Sequence, residues 1–263
     1  MTHQQIVDKL AAKHLVASID DDLAELTITA MIREKNEGIN PLSYVLPKLL
    51  VRWNCVLNAG KEVSSNYKQK TVLALAVLLH KYGFADKAIT DKALKAIDSL
   101  NKSVALSDDF FRKSDEIKKL LLSTPEPLKR KPSSPESITF YRAKDVISIQ
   151  IKDKFYAAYI HSLYSPNVAP IIEFYDGVFD TIPTLSQLEN RKAKGIIFND
   201  GLERVSNFYI GGMKSLPDLA NQIQLIGACV EHKPLNDHLV IPDWEYTVSS
   251  LMRCEELIND MFK

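Results

Sequence analysis

The sequence predicts an α+β protein: an N-terminal all-helical bundle followed by a β-rich domain that closes on a helix. Three observations carry this. Residues 1–123 place apolar side chains at helical spacing and offer no strand candidate. Beyond residue 138, short β-branched and aromatic runs with period two take over. Between them, "TPEPLKRKPSSPES" (124–137) holds four of the chain's 12 prolines. Proline removes backbone donors and serine adds no apolar area, so this stretch reads as an extended spacer. The expected organisation is therefore 1–123, 124–137 and 138–263.

In the helical part, "IVDKLAAKHLV" sets Ile6, Leu10, Ala11 and Leu15 on one apolar stripe. A second helix is expected after "SIDDD", where Asp20, Asp21 and Asp22 supply an N-cap and an acidic first turn. Its core face is Leu23, Leu26, Ala30 and Met31, and Gly38 ends it. Pro41 restarts the chain, and "LSYVLPKLLVRWNCVL" predicts a helix that begins close to Pro47, because proline is tolerated in a first turn. "NYKQKTVLALAVLLHKYG" is a helix stopped at Gly83. "TDKALKAIDSLNKS" and "SDDFFRKSDEIKKLLLS" each open on a capping Thr or Ser followed by an acid, which makes about six helices in all.

In the β-rich part, "DVISIQI" alternates Val146, Ser148 and Gln150 against Ile147, Ile149 and Ile151. A turn at Lys152-Asp153-Lys154 leads into "KFYAAYIHSLY", and "APIIEFYDG", "KGIIFND" and "RVSNFYIGG" supply further strands. The final "DWEYTVSSLMRCEELINDMFK" reads as one helix, with Tyr246, Ser249, Leu251, Leu257 and Met261 toward the core.

Composition narrows the function. Lys plus Arg and Asp plus Glu are both 33, so the net charge is zero. Nucleic-acid binders carry a basic excess because phosphate contacts dominate their affinity, so no nucleic-acid partner is expected. The basic-to-acidic balance is 18 to 15 over 1–123, three to two over 124–137 and 12 to 16 over 138–263. Three cysteines with no CxxC pair fit a reducing compartment and offer no zinc spacing. "MTHQQIVDKL" lacks a signal pattern, and the longest apolar run, "VLALAVLL", is too short for a bilayer. A cytoplasmic protein without a membrane partner is expected.

No GxGxxG, GxxxxGK[ST], HExxH or GxSxG occurs, so neither an enzyme nor a cofactor is expected. His232 and His238 lie near Glu231 and Asp237 in "EHKPLNDH", but loops gather such residues for solubility, and no metal is expected. Cys229 pairs in principle with His232 as a nucleophile, yet its apolar setting, "LIGACVEH", predicts a buried structural thiol. In "EFYDGVFD", Asp176-Gly177 is turn chemistry, and alternation puts Glu173 on a solvent face. These carboxylates fit a binding surface better than acid–base work. Tyr164, Glu173, Tyr175, Asp176 and Asp180 combine aromatic area with acidic steering, which suits a basic protein partner.

The run "YRAKDVISIQIKDKFYAAYIHSLYSPNVAPIIEFYDGVFDTIPTLSQLE" (141–189) resembles the start of the immunity protein 26 family, antidotes of bacterial polymorphic toxin systems. The matching pieces are Asp145 to Ile149, Lys154 to Tyr159 and Ile172 to Asp176, with "NFYIGGMKSLP" (207–217) downstream. Lys144 stands where the family has glycine, Phe208 where it has tryptophan, and Ala157 and Ala158 where it has glycines. The resemblance implies a non-catalytic immunity protein that binds the C-terminal domain of a cognate toxin and occludes its active site. The alternative is an adaptor or regulatory module for an unrelated protein.

Overall fold

The computed structural model describes all 263 residues and has the expected α+β architecture. It falls into two compact units, Met1–Leu50 with Val56–Pro135, and Val51–Cys55 with Glu136–Lys263. Six helices build the first part of the chain: α1 (His3–Asp8), α2 (Lys13–Glu37), α3 (Pro41–Leu57), α4 (Ser65–Lys81), α5 (Lys87–Lys102) and α6 (Asp108–Leu121). Helix α4 packs against α1, α2, α5 and α6, and its run from Thr71 to His80 is buried throughout.

Several boundaries differ from the sequence reading, each for a local reason. Ile6, Leu10 and Leu15 are all buried, but Ile6 lies in α1, Leu15 in α2 and Leu10 in the turn between them, where Ala11 takes a φ of +47° and breaks the stripe. Asp20 to Asp22 do not cap a helix; they lie inside α2, where Leu15, Ile19, Leu23, Leu26 and Ala30 continue one buried face through them. Gly38 ends α2 as expected, at a φ of +68° with its N–H donating to the Glu34 carbonyl. Helix α3 begins at Pro41, not Pro47: Asn40 Oδ1 accepts from the Leu42 N–H at 2.9 Å and caps the earlier start, and Pro47 sits exposed inside the helix. Helix α5 is capped by Asp86, whose Oδ1 accepts from Ile89 N–H at 2.8 Å, leaving Thr90 in the interior. Ser107 caps α6 as predicted.

The proline-rich segment has no regular secondary structure, in keeping with its composition, but it does touch the helices. Gly83 takes a φ of +83°, and a Cβ there would come within 2.8 Å of Pro127 Cα, so the absence of a side chain lets the segment lie on the end of α4.

The second unit is built on a sheet of β1 (Val146–Ile151), β2 (Lys154–Ser165), β3 (Val168–Phe174), β6 (Asn207–Gly211), β7 (Ile223–Gly227) and β8 (Thr247–Ser250). Between β3 and β6 lie the short α7 (Leu185–Leu188) and the two-stranded β4 (Ile196–Ile197) and β5 (Glu203–Arg204). The strand order is β7-β1-β2-β3-β6-β8, antiparallel except for the parallel β6–β8 pair. Strands β1 to β3 form a meander whose turns place Lys152 and Asn167 both at a φ of +57°. The chain ends in a 3₁₀ turn (Leu251–Arg253) and α8 (Cys254–Met261). Strand β8 corrects the reading of 243–263 as one helix, since the β-branched Thr247 and Val248 pair with Phe208 and Tyr209. Leu251 and Met261 are buried as expected, whereas Ile258 takes the core place assigned to Leu257.

Both sheet faces are covered. On one, Phe262 meets Tyr156 and Phe174 at ring distances of 5.0 and 6.2 Å. On the other, Val146, Ala157, Tyr159, Tyr175 and Leu188 form a buried cluster flanked by Val230. Within this unit the Arg52 guanidinium forks onto Asp218, at 2.7 Å (Nη2 to Oδ1) and 3.1 Å (Nη1 to Oδ2), with both side chains almost fully buried. Asp218 also accepts from the N–H groups of Gln222 at 2.9 Å and Ile223 at 3.1 Å, so one carboxylate organises the entry to β7.

Candidate functional site

Of the five residues expected on a binding surface, three are on the surface and two are not. Tyr164 is 56% exposed, and Asp176 and Asp180 are exposed. Asp180 pairs with Lys154 at 2.7 Å, and that hydrogen bond holds its carboxyl below the usual range. Glu173 is completely buried, and so is Tyr175, which donates its hydroxyl to the His232 carbonyl at 3.4 Å. Alternation correctly sorts the two faces of β3, but the face it assigns to solvent is roofed by Leu188 from the β3–β6 connection and by Val230 and Asn236 from the stretch after β7.

Burial gives Glu173 a different task. Its Oε2 lies 2.8 Å from His161 Nε2 and its Oε1 accepts from Asn236 Nδ2 at 3.2 Å. His161 sits at the irregularity in the β2–β3 ladder between Ile160 and Ser162, and such a bulge re-aims a side chain. The imidazole stands edge-on to Tyr159 at 5.0 Å and remains about one quarter exposed. A carboxylate in this position fixes the orientation of a histidine. The buried carboxylate is thus satisfied by two side chains, one on each oxygen.

Cys229 corrects a second expectation. It is exposed, at a φ of +56°, in the turn beyond the end of β7, while Cys55 and Cys254 are the buried thiols. Burial pushes the Cys55 thiol up to about 12. A thiol-reactive dye at pH 8 is therefore expected to label one cysteine of the native chain and three after denaturation, with Cys229→Ser removing the native signal. Labelling of two or more native thiols would contradict this assignment. Glu231, near Cys229 in sequence, is held by Lys144 at 2.8 Å, and it forms no ligating cluster with His232 and His238.

The surface that sequence reasoning missed lies where β6 and β8 begin. Because the two strands run parallel, Asn207 enters one beside Tyr246 entering the other, and the Asn207 Nδ2 donates to the Glu245 carbonyl at 3.4 Å. Next to this junction an open groove of about 670 Å³ runs between Val205–Asn207 and Ile241–Glu245. Its charged lining is Asp237, Asp243 and Glu245 against Lys233 alone. In the same lining, Asn207 Oδ1 is buried and has no hydrogen-bond partner.

Trp244 and Ile241 supply the large apolar part of the lining, and further aromatic side chains contact Trp244 or the neighbouring Tyr246. Trp244 is 43% exposed and packs edge-on to Phe198 at 5.4 Å, and the Arg204 guanidinium covers Phe198 at 5.0 Å. Tyr246, Tyr209 and Tyr164 form a contiguous cluster with ring distances of 5.4 to 6.3 Å. Ile241 and Val248 are 83% and 66% exposed. Tyr164 is thus the one predicted aromatic that joins this face. The signal for the rest was present in "IPDWEYTV", whose alternation of acids and large apolar residues the helical reading concealed. No family model, curated protein or solved structure matches the chain.

Proposed function

We propose that this chain is an immunity-type inhibitor of the bacterial cytoplasm, which binds a basic toxin domain through the groove at the β6–β8 junction and occludes its active site. The observation that carries the reading is the groove's unmatched polarity. The lining sets three carboxylates and an unpartnered buried carbonyl oxygen against one ammonium, with the Arg204 guanidinium near Asp243 at its edge and exposed Trp244 and Ile241 in its wall. Arginine and lysine side chains supply donors only, so they satisfy such a lining, and the aromatic wall supplies the desolvated anchor that protein interfaces use. A neutral chain with one acidic groove steers a basic partner without attracting nucleic acid. The absence of sequence motifs for catalysis accords with inhibition by coverage, which asks only for a complementary face.

The test is capture from the native cytoplasm with a tagged chain, followed by binding kinetics on the captured domain. A single dominant partner, a basic C-terminal toxin domain, is expected. Asp243→Lys combined with Glu245→Lys should slow its association about tenfold or more at low salt. Trp244→Ala should cost on the order of 2 kcal/mol, mainly in dissociation rate. Unchanged rates in both variants would remove this groove from the interface. Capture of an unrelated cellular protein in place of a toxin would favour the adaptor reading.

A further inference from the structure

A separate feature lies in the helical unit. Thr27 is 2% exposed on α2, and its hydroxyl has no hydrogen-bond partner. Other helical threonines solve this locally: Thr29 donates to the Glu25 carbonyl at 3.3 Å and Thr71 to the Tyr67 carbonyl at 2.8 Å. A buried hydroxyl without a partner is costly and calls for a reason. Thr27 lines an open pocket of about 330 Å³, within the size range of small-molecule sites, whose other walls include Met31, Leu42, Phe84 and Leu128. Glu34 is the one carboxylate of the lining, and no lysine, arginine or histidine is part of it.

Spacing adds a ruler. Thr27, Met31 and Glu34 stand at i, i+4 and i+7 of α2, on one face. Two helical turns separate the hydroxyl from the carboxylate, about 10 Å along the axis. We propose that this pocket binds a small amphiphilic amine: an apolar body lies against Met31, Leu42, Phe84 and Leu128, its ammonium meets Glu34, and a polar group at its other end hydrogen-bonds Thr27. Part of the wall comes from Pro127 and Leu128 of the proline-rich segment, which gives that segment a role beyond spacing.

Tyramine has this layout and serves as the probe, with phenethylamine (no hydroxyl) and 4-ethylphenol (no amine) as controls. In methyl NMR of the full chain, tyramine should shift the Met31, Leu42 and Leu128 signals saturably, with millimolar affinity or tighter for a ligand of its size. Each control should bind roughly fivefold to tenfold more weakly. Thr27→Val should bring tyramine down to the level of phenethylamine, and Glu34→Gln should bring it down to that of 4-ethylphenol. Thr27→Val should also melt at or above the parent temperature, since it removes an unpartnered hydroxyl and keeps the shape. The proposal fails if tyramine gives no saturable shift, if both variants bind it unchanged, or if Thr27→Val melts clearly lower.

Discussion

Asp218→Ala is expected to destabilise the second unit by about 3–5 kcal/mol, the range found when one partner of a buried ion pair is removed. The Arg52 guanidinium would remain buried with its bidentate acceptor gone, and the Gln222 and Ile223 N–H groups would lose theirs in the same step. For a chain of this length the melting temperature should fall by on the order of 10 °C. Urea unfolding followed by far-UV circular dichroism gives the measurement. Arg52→Met should recover part of the loss in the double variant, because the pair is then absent, while the β7 entry still lacks its acceptor. A single-variant loss below about 1 kcal/mol would mean that water reaches the fork and screens it.

Glu173→Lys should do comparable harm, and for a reason opposite to the one its sequence position suggests. On a surface, reversing this charge would slow association with a basic partner. At zero exposure it places an ammonium against His161 and Asn236, which offers no counter-charge, so the folded second unit should be lost. Glu173→Gln keeps an acceptor and the side-chain shape and should cost only about 1–2 kcal/mol. Asp176→Lys and Asp180→Lys, both at exposed positions, should leave the melting temperature nearly unchanged. A soluble Glu173→Lys protein melting within a few degrees of the parent would overturn the burial of that carboxylate.

These contrasts mark how far the sequence could be read. Periodicity found helix α4, the strand runs of β1 to β3 and the overall α+β division, because each depends on neighbours in sequence. It failed at Ala11, where a left-handed backbone divides an unbroken apolar stripe, and at Asp20 to Asp22, where a capping signature sits inside a continuous helix. It placed Glu173 on the right face of β3 and could not know that residues some 60 positions later would cover it. The groove was legible only in part. The acid–apolar alternation around Trp244 is a strand signal that the helical run after it masked, while the placement of β8 beside β6 is decided by distant chain segments.

The parallel β6–β8 pair has one further consequence, for how such a protein can diversify. Parallel strands bring their two entry segments to the same end of the sheet, so the groove is written almost wholly in residues that precede the ladders rather than belong to them. Lineages can exchange Ile241, Asp243, Trp244 or Glu245 without disturbing a single rung between β6 and β8, because the pairing starts only at Phe208 and Thr247. The chemistry of the groove and the stability of the sheet are thus written in different letters of the gene, and one can be changed while the other stands still.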